Sequence, residues 1–266
     1  MEQKIKDALT NPDFFRYFLD ETSPPSGLKS PPNVRIQRHS QREIMLVIQG
    51  ENTYVLNGKP QPAIPGSVFF IDHWITHQLG YSLQENNFVH AWLHFHKGKL
   101  FASILHWENT PGPLCREVIV LPPELHLLLT RRWDSLNRHP EADWKKMLQP
   151  SIIRLLCEEF ALYCRQQEEA PPAKADLVEE IRNYITLNCG RNSSLEALEK
   201  FSGYNRYYLM RLFKRRTGCT IGDFIDQVRR GVVNDARSKQ ISYKEIAWQL
   251  GFSSPAAFSW WKKQKM

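Results

Sequence analysis

The hydrophobic period of this chain changes at Pro122-Pro123, and that change restricts the fold to a sheet-rich part followed by helices. Ahead of it, from Val34 to about His96, apolar residues come in short runs closed by turn residues. Ile44-Met45-Leu46-Val47-Ile48 ends at Gly50, and Thr53-Tyr54-Val55-Leu56 ends at Asn57-Gly58. Asn-Gly signals a type I′ hairpin, because both central residues need positive φ. Pro65-Gly66 turns the chain into Ser67-Val68-Phe69-Phe70-Ile71, and Phe88 to His96 forms another strand-like run. Short strands at this spacing predict an antiparallel barrel or sandwich. Beyond the prolines, Leu125, Leu128, Leu129, Trp133 and Leu136, then Leu148, Ile152, Leu155, Leu156 and Phe160, recur every three or four residues, the period of packed helices. Such stripes serve a domain's own core or a dimer contact.

Residues 1–33 are expected to form a mobile arm, since Ser23-Pro24-Pro25-Ser26-Gly27 and Ser30-Pro31-Pro32 cannot continue a helix. Residues 34–120 are the sheet domain and 121–168 a helical, dimerising segment. The charged, Pro-rich stretch at 169–175 is the linker, and 176–266 a separate helical domain. Charge divides at the linker. Residues 1–173 carry 18 basic and 19 acidic side chains and residues 174–266 carry 17 and 9, so the net charge of +7 arises wholly from the last third. A basic module beside a neutral one suggests that the former meets a polyanion, with nucleic acid the first candidate. All nine histidines lie between His39 and His139.

No uncharged apolar run approaches the roughly 20 residues of a membrane helix, and charges interrupt the N-terminal residues where a signal peptide would be apolar. The five cysteines are widely spread with no Cys-x-x-Cys pair. A reduced, cytoplasmic protein without a disulfide framework or structural zinc is expected, with no membrane partner.

In the last third, helix starts are expected at Asp176, at Ser193-x-x-Glu196 as a capping box, and at Ser242. Two helix-turn-helix patterns fit. Leu195 to Ser202 leads through Gly203 to Asn205–Lys214, and Ile246 to Leu250 leads through Gly251 to Ser253–Phe258, with a long helix from Thr220 to Ser238 between them.

Here the sequence resembles the AraC/XylS family of bacterial transcription regulators. Leu209-Met210-Arg211-Leu212-Phe213-Lys214-Arg215-Arg216-Thr217-Gly218 is similar to the family's Leu-x-x-x-Phe-Lys-x-x-x-Gly signature, and Glu245-Ile246-Ala247-Trp248-Gln249-Leu250-Gly251-Phe252 to its Glu-Ile-Ala-x-x-x-Gly-Phe signature. Pro65-Gly66-Ser67-Val68-Phe69-Phe70-Ile71 followed by His77, and His90-Ala91-Trp92-Leu93-His94-Phe95, resemble the cupin-like effector domain of sugar-responsive members. The resemblance implies an α+β protein: an N-terminal antiparallel, cupin-like β-barrel with flanking helices, then an all-α domain with two helix-turn-helix units. Each unit would place its second helix in the major groove, about one DNA turn from the other. The implied DNA-contacting residues are Arg206, Tyr207, Met210, Arg211, Lys214 and Arg215 in the first unit and Ser254, Pro255 and Ser259 in the second. Arg216, Arg229 and Arg230 would meet phosphates. Three positions depart from the family pattern. Glu199 stands where a small residue usually packs, Trp260 where arginine is common, and Lys262 where a core aromatic is expected four residues after Phe258; Trp261 could take that role instead.

His90, Trp92, His94 and His96 alternate with apolar residues and so share one strand face. Imidazoles beside an indole suit a ligand with hydroxyls and an apolar C–H face. The resemblance to sugar-responsive members implies Arg35, His90 and Trp92 as effector contacts, with His94 on the same face and His77 in the turn after the Phe69-Phe70-Ile71 strand beside them, the effector being a sugar or sugar derivative. His94-x-His96 also has the spacing of metal-binding cupins, but Lys97-Gly98-Lys99-Leu100 follows where a carboxylate is needed. No metal, cofactor or catalytic group is thus expected. The reading is a homodimeric, effector-responsive regulator of transcription that binds double-stranded DNA, with RNA polymerase as a further partner. The alternatives are a cupin-type metal-dependent enzyme and a ligand-independent DNA-binding protein.

Overall fold

The structure, a computed structural model, describes residues 1–31, 35–79, 87–96, 98–107, 114–169 and 176–266, with the side chains of Arg35, Leu79, residues 114–116 and Ser238 excepted. The chain divides into two compact units, Met1–Pro171 and Pro172–Met266.

In the first unit ten strands among the described residues form two sheets. Six are hydrogen-bonded in the order β1 (Tyr17–Leu19), β6 (Ser67–Ile71), β3 (Arg42–Gln49), β8 (Phe88–His96), β9 (Lys99–Trp107) and β10 (Leu114–Leu121). Four more pair in the order β2 (Arg35–Gln37), β7 (His77–Leu79), β4 (Asn52–Leu56) and β5 (Lys59–Ala63). Among the described residues no strand pairs across the two sheets, so the expected barrel is two facing sheets rather than one hydrogen-bonded cylinder. The Asn57-Gly58 turn forms as the sequence requires, with φ of 49° and 72° and Leu56 paired to Lys59.

Both faces of the larger sheet are covered, which explains why Ile44 to Ile48 is apolar without alternation. Ile44, Leu46, Ile48, Val68, Phe70, Leu93 and Phe95 pack into one core with helices α1 (Gln3–Leu9), α2 (Pro123–Arg138) and α3 (Ala142–Glu169). Met45, Val47, Phe69, Ile71 and Trp92 point the other way, onto Tyr54, Leu56 and Ala63 of the smaller sheet. The helical stripes read from sequence serve the first core: Leu125, Leu129, Trp133, Leu136, Ile152, Leu156 and Phe160 are all buried there.

The N-terminal residues do not form the expected free arm. Ile5, Ala8, Leu9 and Phe15 are buried in the first core, and β1 adds to the larger sheet as a parallel edge strand. An amphipathic first turn with apolar residues at 5, 8 and 9 gains more by burial than by solvation. Ser26 then hydrogen-bonds Pro60 O, and Gln61 Nε2 donates to Pro24 O, so the proline-rich stretch lies along β5.

The second unit holds six helices among its described residues: α4 (Leu177–Leu187), α5 (Leu195–Ser202), α6 (Arg206–Thr217), α7 (Ile221–Ser238), α8 (Tyr243–Gln249) and α9 (Pro255–Lys265). Their starts carry the expected chemistry, with one shift. Asp176 accepts from Val178 N, Ser242 and Glu245 make a reciprocal box, and Thr220 and Asp223 make another. The cap of α5 is Ser194, one residue after the expected Ser193, whose hydroxyl binds Arg191 O instead.

Candidate nucleic-acid interface and ligand-binding domain

Each helix-turn-helix is set by its own small core. In the first, Leu198 of α5 and Leu209 and Phe213 of α6 pack with Val178, Ile181 and Ile185 of α4 and Ile221 of α7. Gly203 turns the chain between the helices at φ 73°, and Gly251 does the same in the second unit at φ 74°, a region that disfavours any side chain. At Gly251 an added Cβ would also lie 2.7 Å from Arg191 Cγ.

With Leu209 and Phe213 fixed inward, helical geometry sends the opposite face of α6 to solvent. Tyr207 is 75% exposed, and Met210, Arg211, Lys214 and Arg215 are exposed beside it. These side chains form one surface of cations around an aromatic ring, suited to phosphates and base edges. Arg206 is also exposed but is engaged. Its backbone N–H donates to Glu199 Oε1 at 2.7 Å, and its guanidinium reaches Glu199 Oε2 at 2.8 Å. Glu199 therefore sits at the start of α6 and closes the angle between the two helices, and this holds its pKa below the ordinary carboxylate value through those two hydrogen bonds.

The other arginines read as phosphate contacts divide. Arg216 pairs with Asp176 at 2.7 Å. Arg229 donates to Gly190 O, lies 4.8 Å above the Phe252 ring, and is half-buried, so it serves as a structural strut. Arg230 donates to Lys265 O.

In the second unit Phe258 is fully buried and Trp261, three residues on, takes the core place four residues on that Lys262 could not fill. Its indole N–H donates to Asp226 Oδ1 at 2.7 Å, and its ring packs on Phe252 and Phe258. Lys262 lies instead over the Tyr243 ring. Pro255 and Ser259 are exposed on α9 with Trp260, while Ser254 is half-buried and caps the helix by accepting from Ala257 N.

In the sheet-containing unit, Met1–Pro171, the expected effector residues are partly separated. His90, Trp92 and His94 do share the face of β8 that looks toward the smaller sheet. His90 is buried and stacks on Phe88, and Trp92 is buried among Met45, Tyr54 and Phe69. His77 is fully buried in β7 and gathers with His94 around another residue, Glu43. The side chain of Arg35 lies outside the described residues. His96 packs edge-on to Phe101, away from that cluster's hydrogen bonds. Burial pushes the pKa of His90 and of His96 down to about 3 and that of His77 to about 4, so all three are neutral at pH 7.

Glu43, His39 and Gln37 were not singled out by sequence. Their signal was parity: Glu43 is two residues before Met45 and four before Val47, so it must face the same interior. The strand registers then assemble the group, with Glu43 opposite His94 and Gln37 opposite His77. On the other face of the larger sheet, a cleft of about 280 Å³ is lined by Asp20, Asp72, Trp133, Asn137, Lys145 and Gln149, among others. Lys145 Nζ binds Asp20 at 2.7 Å, and Asp72 accepts from Arg42 and from Asn137.

The family model of the AraC-like ligand binding domain matches residues 32–143, and that of the helix-turn-helix domain matches residues 198–265. The probable transcription factor PqrA of Proteus vulgaris is 32% identical over 89 residues, 32% of this chain and 71% of that protein. The regulatory protein SoxS of Escherichia coli (strain K12) is 29% identical over 84 residues, 31% of this chain and 78% of that protein. Among solved structures, ToxT from Vibrio cholerae O395 aligns over 88% of this chain and 90% of its own, at 9% identity and a TM-score of 0.30. Among the described residues no helix is long and apolar enough to cross a membrane. With both halves matched in order and the two signature helices folded as helix-turn-helix units, the chain belongs to the AraC family of DNA-binding transcription regulators and carries that family's ligand-binding domain.

Proposed function

We propose that this regulator recognises its operator chiefly through α6 and answers to a small polar effector of the sugar class. The observation that carries the first part is the solvent-facing row Tyr207, Met210, Arg211 and Lys214 on a helix whose opposite face is locked in a core. An arginine fork can take guanine O6 and N7, and a tyrosine can meet a thymine methyl or a sugar. Arg215 and Lys214 add phosphate contacts, and Pro255 and Ser259 of α9 add a second, weaker reading head. Selection of bound sequences from a random DNA pool, made with the full chain and repeated with Arg211→Ala, tests this. The reading requires a sequence preference in the first case and its loss at particular positions in the second.

The effector class rests on one feature of the ligand-binding domain. The cleft at α2 and α3 offers carboxylates, amides and an ammonium beside the Trp133 indole, the mixture that hydroxyls and C–H faces of a sugar need. His90 and Trp92, by contrast, already pack against neighbouring rings. A thermal-shift screen of sugars and small polar metabolites follows, with each hit repeated on Gln149→Ala and Trp92→Ala. Loss of the response in Gln149→Ala alone supports the cleft, and loss in Trp92→Ala alone places the effector between the sheets. No response to any such molecule overturns the class. The effector acts only through its different affinity for two states of the protein. The reading assigns the chain no catalytic role. Leu127, Trp144, Met147 and Leu162 leave apolar surface on α2 and α3, which supports a homodimer. Sedimentation of Leu127→Glu against the unaltered chain checks that surface.

A further inference from the structure

The buried Glu43 carboxylate has no part in reading DNA, and its surroundings are unusual. His39, Glu43 and His77 are each at least nine-tenths buried, and their potential ligand atoms all lie within 4.8 Å of one another. His39 Nδ1 lies 3.2 Å from Gln41 O and His77 Nδ1 lies 2.9 Å from Ile75 O. A carbonyl can only accept, so each ring carries a proton at Nδ1 and turns Nε2 inward. Those inward nitrogens stand 3.3 Å from Glu43 Oε1 and 3.5 Å from Glu43 Oε2. In the neutral rings the Nε2 lone pairs stand beside carboxylate lone pairs, that of His77 being met by Gln37 Nε2 at 2.9 Å while that of His39 faces Oε1, an arrangement that positive charge between them would relieve. A proton on His39 would answer Oε1, but Oε2 is buried and accepts no hydrogen bond among the described residues. An acceptor left in that state costs free energy unless something binds it.

We propose that His39 Nε2, His77 Nε2 and the Glu43 carboxylate form a binding site for a divalent first-row transition-metal ion of the zinc class inside the ligand-binding domain. Ligands about 2.0–2.2 Å from a tetrahedral ion stand roughly 3.3–3.6 Å apart; the two imidazole-to-carboxylate separations fall in that range, and with all three ligand atoms within 4.8 Å of one another a small inward shift would complete the set. Two imidazoles and one carboxylate suit zinc, cobalt or ferrous iron and not magnesium or calcium, which take oxygen ligands. The supporting shell is in place. Backbone carbonyls fix both imidazoles, and His94 Nδ1 donates to Glu43 Oε1 at 2.9 Å to orient the carboxylate. Gln37 Nε2, 2.9 Å from His77 Nε2, holds that nitrogen while the ion is absent and gives it up when the ion enters. Glu43 is on the larger sheet and His77 on the smaller, so the ion would tie the two sheets together. This site is independent of the sugar reading and of the cleft.

The test uses the full chain, stripped with chelator and titrated with Zn²⁺, Co²⁺ and Mg²⁺, reading stoichiometry, thermal stability and the cobalt spectrum. One zinc ion per chain, a raised Tm, no response to Mg²⁺, and affinity at least tenfold weaker in Glu43→Gln and His39→Gln are expected. Bound cobalt should show visible bands without a thiolate charge-transfer band. The cobalt spectrum of the unaltered chain keeps the question decidable should either variant fail to fold. The absence of zinc uptake, uptake unchanged in both variants, or a thiolate band from Cys157, Cys164, Cys189 or Cys219 would overturn the assignment.

Discussion

Glu199 of α5 holds both the backbone amide and the guanidinium of Arg206 at the start of α6. The residue that departs from the family pattern thus becomes the brace between the two helices of the first unit. It also occupies a cation that stands at the edge of the face proposed to read DNA. The slope of log K against log salt counts phosphates neutralised, at about 0.9 per contact on duplex DNA. Lys214→Ala and Arg215→Ala should each lower the slope by about that amount, and Arg206→Ala by clearly less. Equal drops for all three would mean that Arg206 leaves Glu199 when DNA binds.

Arg211 is exposed near the middle of the same face and has a different expected signature. Arg211→Ala should cost about 1–3 kcal/mol on the selected sequence and relax preference there, with little loss on random DNA. Anisotropy titrations on both DNAs check this. Uniform loss would make Arg211 a backbone contact.

The adjacent tryptophans of α9 should respond in opposite ways. Trp261 is buried and hydrogen-bonded to Asp226, whereas Trp260 is 68% exposed. Trp261→Ala removes a core ring and should lower unfolding stability by about 3–5 kcal/mol, while Trp260→Ala should stay within about 0.5 kcal/mol. Denaturant titration of the two variants distinguishes them, and a reversed order would contradict the packing of the second unit.

Acid should begin to destabilise the Met1–Pro171 unit before its carboxylates titrate. His90 and His96 are held neutral by burial, with pKa about 3, against 6.5 in the unfolded chain. Between those values the unfolded chain binds more protons, so the histidine contribution lowers stability as pH drops from 6.5 and levels off toward 3, while the lowered pKa values of Asp20 and Asp72 add a further loss in the carboxylate range. Thermal melts across that range should show the fall, and His90→Phe should make it shallower. An unchanged pH profile in that variant would show that His90 titrates normally.

Not every strand of the fold was open to sequence reading. β3, β4, β6 and β8 have apolar runs bounded by turns, whereas β1, β2 and β7 are three residues each and carry no period to detect. The candidate ion site was equally hidden. His94-x-His96 looked like the pair to test, but alternation puts those residues two steps along one strand, and it is the register against β3 that gives His94 to Glu43 and leaves His96 on Phe101.

By itself the sequence determined what local geometry encodes: the change of hydrophobic period, the Asn57-Gly58 hairpin, the caps at Asp176 and Ser242, the two helix-turn-helix units and the basic character of the last third. The hairpin, the caps and the period depend on neighbours within about four residues, while the helix-turn-helix units and the charge were legible from motif spacing and composition, which a chain also carries directly. Only the tertiary structure decided which partners meet across long separations. It buried the first helix, chose Trp261 over Lys262 for the core, turned Arg229 from a surface cation into a strut, and gathered Gln37, Glu43, His77 and His94 from both sheets with His39 from the loop between β2 and β3. Those outcomes follow from strand register and close packing, which depend on the shape and volume of the assembled core and not on the order of residues along the chain.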